Sequence, residues 1–271
     1  MSEPLYLSRA RLKAGRGEAL APLAGALLDG SKGHTVAQAH RIVWMLFNDG
    51  SGEQAIVDAG GKNRLFLWRE KSPGEYHILS RTPPRNAHDL FSLDTQEFTP
   101  SLSPKDLLRF SLRANPVVTR KNGHREGKQK FDGKGRVRGL RCDIVMDALA
   151  EYSGSEGPRD VDGKTMRAQR RTEATAKVAR AWIEEQGRKA GFALVKKPDV
   201  DDEVFLSASN YETVRIQRLQ GSSYVAPATF GVLDFEGLIE VTDPALFLKQ
   251  LADGFGKAKA FGCGLMLIRR A

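Results

Sequence analysis

The chain has 271 residues, 41% hydrophobic and 28% charged, the profile of an ordinary globular protein with enough apolar mass for two modest cores or one large one. Its 42 Lys and Arg against 33 Asp and Glu leave a formal charge of +9, which favours a polyanionic partner, nucleic acid ahead of an acidic membrane surface. The 2 cysteines, Cys142 and Cys263, lie far apart with no C-x-x-C partner, so neither a disulfide framework nor a zinc knuckle is indicated and two free thiols are expected. Apolar runs such as Ile42 to Phe47 are too short to cross a bilayer, and Met1-Ser2-Glu3-Pro4 does not start a signal peptide, so a cytoplasmic protein with no membrane partner is expected.

Leu5 to Leu12 turns to an apolar–polar alternation, the period of a strand with one buried face, and Gly15-Arg16-Gly17 ends it. Val36, Ala39, Val43, Trp44 and Phe47 recur at helical spacing, with Thr35 as N-cap and Asn48-Asp49-Gly50 as terminator. Leu65 to Arg69 and Tyr76 to Ser80 flank Ser72-Pro73-Gly74-Glu75 and predict a hairpin. A helix around Ala87-His88-Asp89-Leu90 and a strand near Glu97-Phe98 complete a βαββαβ order.

The order recurs after Ser103-Pro104 behind a long insertion. Leu108 to Val118 predicts one long strand with Pro116 at a sheet edge. Lys164 to Lys189, rich in Ala, Arg, Glu and Lys with Val178 and Trp182 at i and i+4, predicts a helix. Strands follow at Val204 to Leu206, Val214 to Leu219 and Tyr224 to Val241. A helix from Pro244 to Leu251 comes next, with Asp243 as N-cap and proline at N1, and then a strand over Leu265 to Ile268. The fold class is therefore α+β, two tandem ferredoxin-like (βαββαβ, RRM-like) domains over residues 1–104 and 105–271. The stretch from Arg120 to Arg138 is glycine-rich and cationic, either a solvated surface loop or part of an anion-binding surface.

Gly254-Phe255-Gly256-Lys257-Ala258-Lys259-Ala260-Phe261-Gly262-Cys263-Gly264 sets two Gly-hydrophobic-Gly units around two lysines. Gly256-Lys257-Ala258 lacks the hydroxyl a Walker loop places on magnesium, and a dinucleotide fingerprint sits between strand and helix whereas this loop follows a helix. What remains open is a structural role, Gly254 capping the helix and Gly262 and Gly264 allowing close packing, or a site for an anion with a backbone of its own. His40, four residues from Val36 and from Trp44, fits first a half-buried, hydrogen-bonded core histidine, with a proton-transfer group as the alternative. No H-x-H, H-E-x-x-H or regular acidic cluster is present, and Asp201-Asp202-Glu203 suits a solvated turn, so metal-free chemistry without a cofactor is expected.

Together these residues resemble the CRISPR repeat endoribonucleases of the CasE type, the RNA-processing subunit of type I-E Cascade. The likeness runs in order through Leu5-Tyr6-Leu7-Ser8, Ala39 to Phe47, Phe66-Leu67-Trp68-Arg69, Phe110 to Pro116 and, most specifically, the glycine-rich stretch. The resemblance implies a metal-independent endonuclease that cuts each CRISPR repeat at the base of its hairpin and retains the product, with the repeat RNA and other Cascade subunits as partners. It implies His40 as the catalytic histidine and Gly254, Gly256, Lys257, Lys259, Gly262 and Gly264 as a loop shaping the RNA site. Many relatives carry a tyrosine one helical turn before the histidine. This chain has Ala37 there, which leaves His34, Lys32 and Arg41 as candidate auxiliaries.

Cleaving RNA without metal needs a deprotonated 2′-hydroxyl, an in-line phosphate and a proton for the departing 5′ oxygen. A histidine of pKa near ~6.5 can exchange that proton. Arg215 and Arg218 on a strand of the second half, with Lys257 and Lys259, are candidate grips on the hairpin backbone, since A-form RNA is recognised mostly through shape and phosphate. The rival expectation is a non-catalytic RNA-binding module, against which stands the lack of an RNP1-type aromatic run.

Overall fold

The structure is a computed structural model, and the residues it describes are 4–13, 36–47, 64–86, 89–120, 140–152, 163–198, 200, 202–220 and 223–271. Of the expected site residues, Lys32 and His34 lie outside them, as do the proposed N-cap Thr35 and the basic stretch 121–138.

The first half builds one antiparallel sheet from β1 (Tyr6–Leu12), β2 (Phe66–Ser72), β3 (Glu75–Ser80) and β4 (Phe91–Glu97), in the order β2-β3-β1-β4. This is the ferredoxin-like arrangement, with the first strand between the third and the fourth. Helix α1 (Val36–Trp44) covers one face. Ala39, Ile42, Val43 and Leu46, spaced i, i+3, i+4 and i+7, bury against Ala10, Phe66, Trp68, Tyr76, Ile78 and Phe91.

The helix expected near Ala87 is not found. Residues 81–86 and 89–90 carry no helix, and Ala87 and His88 lie outside the described residues. Pro83 and Pro84 lack the N–H groups a helix needs beyond its first turn, and Asn86 and Asp89 adopt left-handed φ of 48° and 49°. Asn86 instead brackets Phe91, accepting from its N–H at 3.2 Å and donating to its carbonyl at 2.9 Å.

The second half repeats the topology with β5 (Leu107–Ala114), β9 (Leu206–Gln220), β10 (Ser223–Val241) and β11 (Met266–Arg270). The sheet runs β11-β5-β10, and the far side of β10 pairs with β9 and with the short β8 (Phe192–Leu194). Leu108, Phe110, Leu112 and Ala114 alternate inward on β5 and meet Trp182 and Ile183 of α3 (Gly163–Ala190) and Phe247 and Leu251 of α4 (Pro244–Asp253). The expected cap holds: Asp243 accepts from the Leu246 N–H at 3.0 Å, with Pro244 in the first turn.

The expected strand over Leu108 to Val118 is two strands, because the chain turns out of the sheet at Asn115-Pro116. Beyond the break, β6 (Val117–Arg120) pairs with β7 (Leu140–Asp143) as a separate two-stranded ribbon. Asp143 then caps α2 (Ile144–Tyr152), accepting from the N–H groups of Val145 and Met146. Val204 forms only an isolated bridge to Lys196, and β9 starts two residues later.

The free face of the first sheet meets the second half. Leu5, Leu7, Leu67, Leu79 and Phe98 pack with Leu265 and Leu267. Arg69 of β2 donates to the Ser111 hydroxyl of β5 at 2.8 Å and faces Asp234 of β10 at 3.8 Å. Neither cysteine forms a disulfide. No helix among the described residues is long and apolar enough to cross a membrane.

Candidate active site

His40 points from α1 into an aromatic corner. Its ring lies 6.3 Å from that of Trp68 at an interplanar angle of 20°, with Phe66 at 5.9 Å and Trp44 edge-on at 6.1 Å. The Trp44 indole N–H donates to His40 Nε2 at 3.0 Å, so the neutral ring carries its proton on Nδ1. Burial, and next the positive charge of Arg64, push the His40 pKa down to about 4. The core-histidine features are thus present: a half-buried, hydrogen-bonded, neutral ring. What distinguishes the site is what packs beside it.

That neighbour is the glycine-rich stretch. After α4 the chain passes Gly254, whose N–H donates to the Gln250 carbonyl at 2.8 Å and closes the helix. It then runs to a short 3₁₀ turn, Lys259–Phe261, which packs on α1 and on β2. Strand β2 is an edge of the first sheet, and this stretch wraps it. A Cβ on Gly254 would meet the Leu67 methyls at 2.8 Å, and one on Gly262 would meet the Trp68 indole at 3.4 Å. Because Leu67 and Trp68 point to opposite faces of the sheet, the two glycines embrace the strand from both sides. Gly264, at φ 91°, allows the tightest approach, since a Cβ there would stand 2.6 Å from the Phe255 carbonyl oxygen.

The stretch is fixed by hydrogen bonds as well as by close packing. Phe255 N–H donates to Gly264 O at 2.9 Å, Gly264 N–H to Arg113 O at 2.7 Å, and Lys257 N–H to Asn115 O at 3.3 Å. Asn115, the residue directly after β5, also donates from its side chain to Gly231 O at 2.7 Å. The break in the expected long strand therefore has a purpose in the fold, because it supplies the backbone against which Gly256 and Lys257 lie.

The structural role of the glycines is visible in this packing, which carries the turn bearing Lys259 to α1. Lys259 Nζ donates to the Asp253 carbonyl at 2.6 Å. Burial first and Arg64 second push its pKa down to about 8, against the pull of the Asp253 carboxylate. Lys257 is exposed one turn away. Arg41 is exposed on α1 beside His40.

The expected grips on β9 are placed differently. Arg215 is exposed opposite Thr229 of β10. The neighbouring pair, Val214 and Phe230, faces the other way, and Phe230 meets Phe261 of the glycine turn at 5.6 Å. Arg215 thus stands on the face of the β9–β10 arm turned away from that contact. Arg218 pairs with Val225 in the same arm, and its side chain lies outside the described residues.

Sequence reasoning missed Arg64, Arg81 and Asp253. Nothing in their spacing marks them, because they meet only when the start of β2, the end of β3 and the end of α4 converge. The role of Trp44 had a visible signal, a ring four residues after a histidine on one helix.

A family model described as CRISPR associated protein matches residues 5–270. No curated protein matches the chain significantly. Among solved structures, a CRISPR endoribonuclease Cse3 bound to a 19 nt RNA is similar at 20% identity and TM-score 0.60, over 99% of this chain and 100% of that one. Thermus thermophilus Cse3, bound to an RNA representing a pre-cleavage complex, is similar at 20% identity and TM-score 0.59, over 98% and 99%. A chain of a CRISPR RNA-guided surveillance complex, in a pre-nicking state, is similar at 14% identity and TM-score 0.53, over 98% and 100%. At these identities the likeness is one of fold, and it extends over both sheets.

Proposed function

Because the chain belongs to the CRISPR-associated protein family, we propose that it is a CasE-type endoribonuclease that matures CRISPR RNA. It binds the hairpin of the CRISPR repeat, cuts the precursor at the hairpin base without a metal ion, and holds the mature guide within Cascade in the cytoplasm. The halves 1–104 and 105–271 act as two domains, the first bringing the catalytic helix and the second the glycine loop.

The observation that carries this reading is the meeting of α1, which bears His40, with the glycine turn, which bears Lys259, the pKa of each group being lowered by burial. The Cse3 structures bound to RNA support it through the shared fold. In the reaction, the 2′-hydroxyl loses its proton to His40 Nε2 once the ring lets go of Trp44. The 2′ oxygen then bonds to phosphorus, the bond from phosphorus to the 5′ oxygen breaks, and that oxygen takes up a proton from solvent while His40 later returns its own to solvent. The products are a 2′,3′-cyclic phosphate and a 5′-hydroxyl. An incoming phosphate also counters the charge of Arg64, raising the His40 pKa toward a useful range at the moment of binding.

The test is to replace only the ribose on the 5′ side of the scissile phosphate by deoxyribose, which removes the nucleophile and preserves phosphates, base pairs and grooves. This RNA should bind as tightly as the ribose form and survive, while the ribose form is cut in EDTA to a cyclic phosphate end. Cutting of the deoxy form at an undiminished rate would require water as nucleophile and would overturn the reading. A non-catalytic RNA-binding module is favoured by one observation, the hydrogen bond that occupies His40 Nε2. It predicts that neither RNA is cut.

A further inference from the structure

Arg64 lies two residues before β2 and is half-buried. Its guanidinium Nε is shielded from solvent and has no hydrogen-bond partner among the described residues. Its backbone is tied to the glycine turn by a chain of contacts. Arg81 Nε donates to the Arg64 carbonyl at 3.2 Å, Arg81 Nη2 faces the Asp253 carboxylate at 3.5 Å, and the Asp253 carbonyl receives Lys259 Nζ at 2.6 Å. Arg64 and Lys259 therefore approach one locality from two different domains, with His40 on the helix that packs there. Among the described residues, the carboxylate that bears on Lys259 is that of Asp253, which Arg81 engages.

A guanidinium partly stripped of water, with an unmet donor and no ion pair among the described residues, costs free energy until an anion arrives. Its charge reaches both His40 and Lys259, lowering the pKa of each, so the three groups share one electrostatic environment. We infer that Arg64 and Lys259 form a seat for the phosphate that is cut, Arg64 from the edge of β2 and Lys259 from the glycine turn, with His40 beside it. This assignment rests on the function proposed above and adds a residue that the sequence did not suggest. Chemically the pair suits the task. A guanidinium offers a planar fork to two phosphate oxygens and an ammonium a point charge, and both gain most when a second negative charge develops on the pentacoordinate phosphorus. The seat also sets the proton balance of the site, since an empty seat keeps His40 unprotonated and an occupied one relaxes it.

The test compares wild type with Arg64→Gln and Arg64→Lys, each checked for an unchanged melting transition. Cleavage is measured in single turnover in EDTA, affinity with the uncleavable deoxy hairpin, and the His40 pKa by NMR on the free proteins. Arg64→Gln should slow cleavage by about 10²-fold or more, the scale of losing one preorganised donor to developing charge, and leave deoxy-hairpin affinity within about fivefold. Arg64→Lys should recover part of the rate. The His40 pKa should rise in Arg64→Gln, a change that a merely structural residue would not produce. Cleavage within about threefold of wild type, or a loss of affinity that tracks the loss of rate, overturns the assignment. If the wild type does not cut the ribose hairpin, the proposed function falls instead. The seat is then judged by inorganic phosphate, which should move the His40 resonances of the wild type and not those of Arg64→Gln; no movement in the wild type removes it.

Discussion

The second-half sheet carries two helices, the 28-residue α3 and the 10-residue α4, whereas the first-half sheet carries the 9-residue α1 alone among the described residues. The same strand order is thus covered unequally. Where α4 seals the second sheet with Phe247 and Leu251, the described part of the corresponding link of the first half, residues 81–86 and 89–90, carries two prolines, left-handed Asn86 and Asp89, and no helix. The first sheet keeps an edge strand and an indole, Trp68, that α1 does not finish covering, and the glycine turn of the other half completes the job. Incomplete cover is what opens a place for a site. A first half with a second covering helix would have less need of a neighbour, and the glycine turn would have less reason to pack on α1.

The largest break in that comparison is His40→Ala. Single-turnover cleavage should fall by about 10²–10⁴-fold, the usual worth of positioned proton transfer, while affinity for the deoxy hairpin stays within a few-fold. A parallel loss of binding and cutting would return His40 to the first-half core. The pH profile gives a second handle. His40 accepts a proton only when neutral, and burial with Arg64 lowers its pKa from 6.5 to about 4, so the neutral form persists on the acid side of 6.5. With RNA well below saturation, where the free protein sets the limb, the wild-type rate should hold between pH 7 and 5 and fall only as pH approaches 4. A limb centred near 6.5 would show that burial does not govern the ring.

Next in size is Gly264→Ala. A side chain at φ 91° and 2.6 Å from the Phe255 carbonyl must displace backbone, at a cost of about 1–3 kcal/mol by urea unfolding. Because the glycine stretch clasps β2, the quenching environment of Trp68 should change along with stability. A loss of stability with Trp68 fluorescence unaltered would mean that the second half bears the strain alone.

A smaller effect separates contacts between the halves from contacts within one. Arg69→Ala removes the bridge to Ser111 and Asp234, but Asp234 keeps Arg113 at 3.1 Å and Asn210 at 3.2 Å, so no buried charge is orphaned and the loss should be about 1–2 kcal/mol. Arg9→Ala removes a pairing to Glu75 inside the first half, where Arg9 is 48% exposed and Lys71 and Arg11 remain near the carboxylate; its cost should stay within about 1 kcal/mol. Equal costs would show that the junction between sheets is no stronger than a surface pair.

The regular elements were largely legible because their signals are local. Asp243-Pro244 opens α4, Pro73-Gly74 turns the β2–β3 hairpin, and the alternation of Leu108, Phe110 and Leu112 exposes one face of β5. The 3-residue β8 escaped because its pairing partner, Ile239 to Val241, lies more than forty positions along the chain and its own three residues have no period. The helix expected around Ala87 to Leu90 does not extend over Asp89 and Leu90, Asp89 taking a left-handed φ of 49°, while Ala87 and His88 lie outside the described residues. In the site, His40 and the glycine stretch stood out through residue type and spacing. Arg64, proposed above as part of the seat, did not, because nothing in its spacing marks it; only folding leaves its Nε buried without a hydrogen-bond partner among the described residues.

The smallest predicted effect belongs to Lys257, and its value lies in the contrast with Lys259. Lys257 is exposed on the same stretch, while the Lys259 ammonium is half-buried and hydrogen-bonded to Asp253. If Lys257 serves only as a mobile positive charge for the RNA backbone, replacing it by alanine should weaken hairpin binding a few-fold at low salt. It should also flatten the slope of log affinity against log salt by about 0.9, the counterion released per phosphate neutralised when duplex RNA behaves as duplex DNA does. The single-turnover rate at saturating RNA should not change, since an exposed charge outside the seat gains nothing in the transition state that it lacks in the ground state. Lys259→Ala should do the reverse, lowering the saturated rate more than the affinity. A Lys257 variant that slows the saturated reaction would place both lysines at the reacting phosphate and erase the distinction between the clasped and the open parts of the loop. One that changes neither slope nor affinity would remove Lys257 from the RNA path altogether.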